Sequence, residues 1–399
     1  MSTPQQASNS ERRIDLDWVR ILAFGLLIFY HVGMLYVSWG FHIKSEYRLT
    51  WLEPVMLVLN PWRLSLLFLV SGVASRFMLG KFKHRLAAFA GARSVRLLIP
   101  LMTGMLVIVP PQSYLQIVEA LGYPAGFVDY YIHHYLAFSA QFCPDPCIVQ
   151  PTWNHLWFVV YLWVYTMALV GALCLWPAAA DRIGETLASV LTGRWLLVLP
   201  CLVFAAWRLF LAPIFPSTHA LFGDWYNHAD HATAFLIGFL LARQGGIWRD
   251  LERQRWVALM LAAACYVGFI LTYAGWFPGS PMLRWFAGTA YGCYQWLAMA
   301  VVLGFAQRYL TADGPVRRYL TDAIFPFYIV HQTAIILIAH TLRGSGLSAG
   351  SEAAVVISGT ALTCLVSYEI ARRIGRLRPL FGLRVETCAT AGIAQQQPA

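Results

Sequence analysis

A chain of 399 residues in which 59% are apolar and only 12% are charged lies far from the roughly 25% charged residues of an ordinary soluble domain. A water-soluble fold of that size must keep a polar rim, so this composition, with a mean hydropathy of +0.58, excludes a soluble enzyme and fits lipid as the solvent. The net charge of +10 does not indicate a nucleic-acid partner, because the basic residues sit in short clusters between apolar runs.

The polar opening, MSTPQQASNSERRID, precedes an apolar run too long for a signal-peptide core and lacking a small-residue cleavage site, which makes it a retained first span. A span needs about 20 mostly apolar residues, and ten runs read as candidates, at roughly 16–39, 52–79, 96–118, 155–176, 195–214, 230–243, 256–276, 285–306, 323–342 and 353–371. The sixth is the shortest and starts polar. The sixteen Trp and nineteen Tyr suit the headgroup level, where amphipathic rings concentrate. The expected fold is an all-α polytopic bundle of about ten transmembrane helices. It divides into an N-terminal segment at 1–14, a transmembrane domain at 15–372 and a tail at 373–399.

Loop charges orient the bundle. With both termini in the cytoplasm, 23 of the 29 Lys and Arg fall on or near the inner side, the other six being Lys44, Arg48, Arg63, Arg208, Arg284 and Arg343. This is a strong positive-inside bias, and it implies a multi-pass protein of the bacterial inner membrane. The long loop at 119–154 then lies outside and carries Cys143 and Cys147, which are either free thiols or a local disulfide. Cys174, Cys201, Cys265, Cys293 and Cys364 read as small apolar fillers.

Ionisable groups inside spans are costly and therefore informative. In the first span, Arg20 and His31 are eleven residues apart, about 16 Å and three turns along one face. Asp17 lies within helical pairing distance of Arg20. An inner-rim ion pair with a packing histidine fits that spacing as well as a catalytic site does. Arg63 in NPWRLSLLFLVSG either faces the bundle interior or snorkels to the outer interface. Arg93 and Arg96, at i and i+3 before Pro100, present two phosphate-matching guanidinia on one face; taken alone, the pair more readily reads as membrane anchors. His155, beside Trp157 of the aromatic belt, and His331 in FPFYIVHQT are each site residues or helix-packing groups. Glu369 reads as a partner of Arg372 and Arg373. His219, His228 and His231 have irregular spacing and read as solvated loop histidines rather than metal ligands, so no metal is expected.

The motifs together point further. Asp17-Trp-Val-Arg20 followed by His31, WRLSLLFLVSG, Arg93-x-x-Arg96 with Pro100, HLWFVVYL and FPFYIVHQ resemble, in order, the signatures of the integral-membrane type-three acyltransferases. The likeness runs from about residue 14 to 382 and is strongest to the bacterial branch that succinylates osmoregulated periplasmic glucans. It implies an acyltransferase domain that takes an acyl group, succinyl or acetyl, from cytoplasmic acyl-coenzyme A. The acceptor would be a hydroxyl of a periplasmic glucan or other extracytoplasmic glycan.

The resemblance implies that His31, with Arg20 and Asp17, is catalytic. It implies that Arg93, Arg96 and Arg20 bind the coenzyme A donor, and that Arg63, His155, Trp157 and His331 support the site. His31 fits a general base, since a neutral imidazole can take a hydroxyl proton; it fits equally a nucleophile that becomes acyl-imidazole. Two other classes match buried His and Arg: a transporter or flippase for an acyl or glycan precursor, and an assembly partner of a glycan synthase. The expected partners are acyl-coenzyme A, the glycan and membrane lipid, with the oligomeric state open.

Overall fold

The structure is a computed structural model that describes residues 13–138, 142, 149–274 and 280–384. Cys143, Cys147 and Cys388 lie outside the described residues. All regular structure among the described residues is helical.

The chain opens with α1 (Ile14–Gly33). α2 (Leu52–Leu59) and α3 (Arg63–Lys81) follow, and then α4 (Leu86–Thr103). α4 runs through Pro100 into a π-helical turn at Gly104–Ile108, after which α5 (Pro110–Leu121) starts afresh. A single span over 96–118 was the sequence expectation. Pro110 and Pro111 lack the N–H groups that would continue the ladder, and a first-turn proline restarts a helix readily. This restart puts Gln112 and Ser113 in the first turn of α5. α5 closes on Gly122 at φ +64°, a left-handed stop that glycine adopts without a Cβ penalty.

α6 (Phe127–Tyr130) lies in the long loop, where Ile117, Tyr130, Tyr135 and Phe142 pack as a small core. α7 (Trp157–Leu175), α8 (Ala179–Val190), α9 (Trp195–Ala206) and α10 (Trp225–Leu241) follow. The last four are α11 (Gly245–Tyr273), α12 (Pro281–Tyr309), α13 (Pro315–Thr341) and α14 (Ala349–Arg373).

Among the described residues, eight helical segments, α2 and α3 counted together, are long and apolar enough to cross a membrane, or nine if α8 and Trp195–Leu211, bent by 111°, count as one span. The expected run at 195–214 appears as α9 followed by a π-helical turn at Trp207–Leu211, and the one at 230–243 overlaps α10, which starts five residues earlier and has 17 residues. Free cysteines among the described residues are Cys174, Cys201, Cys265, Cys293 and Cys364; Cys201 and Cys364 are buried and Cys174 is exposed.

The helices sort into two compact units. The described residues of Met1–Leu27, Trp51–Gly91 and Tyr161–Thr321 form the first, and those of Ile28–Thr50, Ala92–Val160 and Asp322–Ala399 the second. Within the first unit, α3 and α10 approach until backbone meets backbone. A Cβ on Gly72 would stand 2.0 Å from the Phe235 carbonyl oxygen, and one on Gly238 1.9 Å from that of Leu69. Small residues permit this approach in lipid, where packing replaces the hydrophobic effect as the force between helices.

Candidate active site

The second unit brings three of the expected histidines together. His331 is buried at 1% exposure, and its Nε2 lies 3.1 Å from Nδ1 of His31. Its own Nδ1 lies 2.7 Å from the Tyr328 carbonyl oxygen. The His155 ring stands edge-on to His331, with centroids 5.2 Å apart. The His31 ring also stacks on Phe41.

These partners assign the tautomers. A carbonyl oxygen only accepts, so the His331 proton sits on Nδ1 and its Nε2 carries the lone pair. His31 must then donate from Nδ1, which makes Nε2 the basic nitrogen of His31. The same reasoning applies to His155. Its Nε2 donates to the Ile329 carbonyl at 3.0 Å, and its Nδ1 accepts from the Gln112 amide at 3.4 Å. The Tyr328 hydroxyl donates to the His155 carbonyl, tying α13 to the turn Asn154–Leu156 that precedes α7.

Around the histidines lies a layer of side chains that reading by charge passes over. The Gln112 amide also donates to Thr333 Oγ1 at 2.5 Å, and the Thr333 hydroxyl donates to the Ile108 carbonyl at 2.8 Å. Gln112 Oε1 accepts from Asn154 at 3.2 Å and from Gln332 at 3.1 Å. The Gln332 amide donates onward to His42 Nε2 at 2.9 Å, and His42 Nδ1 donates to Gln116 Oε1 at 2.6 Å. Burial holds the His42 pKa below its ordinary value, in keeping with a ring whose Nε2 must stay unprotonated to accept. The sequence signal for this layer was available: Gln112, Gln332 and Thr333 are polar residues inside apolar runs, and amides without charge fall outside a search restricted to ionisable groups.

Arg93 and Arg96 lie on α4 in the same unit, Arg93 buried and Arg96 exposed. Trp157 is buried at the start of α7. Glu369 pairs with Arg372 at 2.9 Å and Arg373 at 3.0 Å, the pairing expected from their spacing.

Asp17, Arg20 and Arg63 belong to the first unit. Asp17 accepts from Arg317, 300 residues away in sequence, and Arg317 also binds Asp313 at 2.7 Å. Arg317 is 1% exposed, so a residue that counted only as an inner-loop cation is a buried ionic hub. Arg63 is buried at 4% exposure.

The expectation of solvated loop histidines fails for two of the three. His231 is buried, stacks on Phe68 and lies 3.1 Å from both Ser65 and Asp230. Gln295 donates to Asp230 and Ser65 from 2.8 and 2.9 Å. His228 stacks on Tyr161 and bonds the Tyr165 hydroxyl at 3.1 Å. Helix α10 begins at Trp225, so these residues lie on a packed helix rather than in a loop. Among the described residues, no three His, Cys, Asp or Glu side chains gather as a metal site.

Residues 13–372 match the family model described as an acyltransferase domain. The chain is also similar to a glucans biosynthesis protein C of Salmonella gallinarum (strain 287/91 / NCTC 13346), 21% identical over 380 residues that cover 93% of this chain and 94% of that protein. No solved structure matches.

Proposed function

The chain belongs to the acyltransferase family, and from that premise we propose that it is a membrane-embedded O-acyltransferase moving succinyl or acetyl from cytoplasmic acyl-coenzyme A to a hydroxyl of a periplasmic glucan or other extracytoplasmic glycan. Both termini lie in the cytoplasm in this reading, with Trp195–Leu211 and α10 completing ten crossings. The positive-inside bias supports that orientation. The likeness to a glucan biosynthesis protein supports the acceptor class.

The observation that carries the reading is the His31–His331 bond. With Nδ1 of His31 committed to His331, its Nε2 takes the proton of the acceptor hydroxyl. The hydroxyl oxygen attacks the thioester carbonyl carbon, the C–S bond breaks, and the proton passes to the leaving sulfur, giving ester and free coenzyme A. His331 does for His31 what the orienting carboxylate does in a catalytic triad, fixing tautomer and ring, but with a neutral acceptor. The covalent route, in which Nε2 itself takes the acyl group and hands it on, needs the same tautomer.

Arg93 and Arg96 bind the anionic donor on the cytoplasmic side. Arg20, three turns before His31 on the same helix, steadies the donor's entry, and Asp17 holds that end of the helix through Arg317. His155 and Trp157 support His331, and Arg63 serves the outer half of the first unit.

The test is release of free coenzyme A from acetyl- and succinyl-coenzyme A by the purified protein in lipid nanodiscs, with and without a periplasmic glucan, beside His31→Ala. Acceptor-dependent release that vanishes in the variant is the expected result. No release from either donor with folded protein and several glycans would overturn the reading in favour of transport. An acylated protein that accumulates without acceptor, and not in His31→Gln, selects the covalent route.

A further inference from the structure

The break between α4 and α5 takes the usual donors away from two backbone carbonyls. The Val109 N–H reaches back five residues to the Gly104 carbonyl at 2.8 Å, and Pro110 and Pro111 have no N–H to give. Met105 and Leu106 therefore lose the partners that a continuing helix would supply. Both lie near the end of Leu86–Ile108, a segment long and apolar enough to cross a membrane, and an unmet carbonyl at membrane depth is costly. Two tyrosines of the long loop replace the missing donors. The Tyr135 hydroxyl donates to the Met105 carbonyl at 2.7 Å, and the Tyr131 hydroxyl to the Leu106 carbonyl at 2.9 Å. These bonds fasten the loop to the end of the span.

The fastened segment is α6 with the π-helical turn Tyr131–Tyr135 that continues it. Its side chains fall in stripes of different character. Tyr130 and Tyr135 are buried in the small core with Ile117. Asp129 and His133, four residues apart, are exposed and pair at 3.0 Å, and the Tyr123 hydroxyl donates to Asp129 at 2.6 Å. Val128, Ile132 and Leu136 repeat the same spacing with exposures of 67%, 53% and 40%, and Phe138 follows at 73%. An exposed apolar row beside an exposed polar one, on a single short helix, is the pattern of an element lying in a membrane interface. The segment is far too short to cross, which takes about 20 residues.

Its surroundings name the occupant of the apolar row. The rings of Phe127, Tyr131 and Tyr135 stack in succession, 5.9 Å between centroids at each step, and the two tyrosines carry the hydroxyls that touch the end of the span. The apolar row is the next stripe round the helix from that ladder. Met102, Leu106 and Val107 at the end of the span are exposed as well, as the lipid-facing side of a span is. The two apolar surfaces meet at the tyrosine bonds, with the tyrosine rings placed as at a headgroup boundary, where amphipathic rings concentrate.

We propose that 127–138 is a half-inserted interfacial segment, in which Val128, Ile132, Leu136 and Phe138 lie among phospholipid acyl chains of the leaflet that α4 reaches at Ile108, while Asp129 and His133 face water. The long loop is then in part a membrane contact, anchored at the same proline break that starts the helix of Gln112.

Photocrosslinking of the full chain tests this, in nanodiscs of phosphatidylethanolamine and phosphatidylglycerol. The photoreactive residue p-benzoyl-phenylalanine is placed at Ile132, at His133 and, as a span reference, at Val107; intact-protein mass spectrometry after irradiation reads the adducts. Ile132 should give phospholipid adducts within about threefold of the Val107 yield and about tenfold above that of His133. Tyr131→Phe combined with Tyr135→Phe should lower the Ile132 yield several-fold with the Val107 yield unchanged; an unaltered Ile132 yield would overturn the fastening by tyrosines. Adducts at Val107 with none at Ile132, or equal yields at Ile132 and His133, would overturn insertion. A crosslinked dimer at Ile132 would assign the row to a second copy of the chain, and a crosslink to residues 139–148 would show it covered by the protein itself; either result overturns lipid as the occupant. None of these readouts is turnover, so the acyltransferase reading stands or falls separately.

Discussion

Two buried histidine networks, one in each unit, are built on different chemistry. In the second unit, the described bonds of His31, His331, His155 and His42 run to imidazoles, side-chain amides and backbone carbonyls. In the first unit, the bonds converge on carboxylates. Asp230 gathers Ser65, His231 and Gln295, and Asp224 gathers Tyr161, Asn227 and the Thr218 and His219 amides. Neutral groups with one donor and one acceptor settle which nitrogen carries a proton without setting a fixed charge beside it. Carboxylates with several committed donors hold a helix in place, since removing any one partner strands a buried charge. The first kind of network suits proton transfer and the second suits architecture.

Substitutions can break or sharpen that contrast. The largest effect belongs to His31→Ala, which should lower acceptor-dependent coenzyme A release by at least about 100-fold, the lower end for loss of an acid–base group, with little change in thermal stability. His331→Phe comes next. It removes the lone pair that orients His31, and kcat should fall by about 100-fold at nearly constant KM for both substrates, the signature of an interaction made in the transition state. A loss confined to thermal stability would mean that His331 merely packs.

In the first unit the readouts should exchange places. Arg317→Ala removes the buried guanidinium that the half-buried Asp17 and the exposed Asp313 share, and should destabilise the fold by about 1–2 kcal/mol, less than a fully buried pair because water reaches both carboxylates. Thermal unfolding in detergent measures this, while turnover per folded molecule stays near wild type. Asp230→Asn should cost about 1–2 kcal/mol through its weakened bonds to Ser65 and Gln295, again without lowering kcat.

The smallest effect is a pH dependence. The folded His42 pKa lies below its unfolded value because of burial, so the unfolded chain takes up the proton first. The stability that His42 contributes is present above about pH 6.5 and is lost as pH falls below that value toward the folded pKa. Protonated Nε2 can no longer accept from Gln332. Thermal stability of wild type should therefore decline below pH 6.5 more steeply than that of His42→Gln; parallel curves would remove His42 from the account.

Much of this was legible in the primary structure. Apolar runs of membrane-crossing length announced the helices, and five ordered motifs announced the family. His31, His155 and His331 stood out because imidazoles are rare in apolar runs, and Glu369 stood out through its spacing to two arginines. Gln112, Gln332 and Thr333 did not, because neutral amides and hydroxyls cost less in lipid than charges and raise no alarm one at a time. Arg317 was hidden for the opposite reason: in a basic inner loop a cation looks ordinary, and its burial against Asp17 is set by a residue 300 positions earlier.

The sequence by itself determined the solvent, the helical class and the chemical identity of the reactive groups, since these follow from composition and from local periodicity. Tertiary structure decided which of those groups meet. It broke the third apolar run at Pro110 so that Gln112 faces His155, and it set His331 at 3.1 Å from His31. Helices far apart in the chain share a core through close packing, and only that packing converts a histidine in a membrane span into one with an assigned proton.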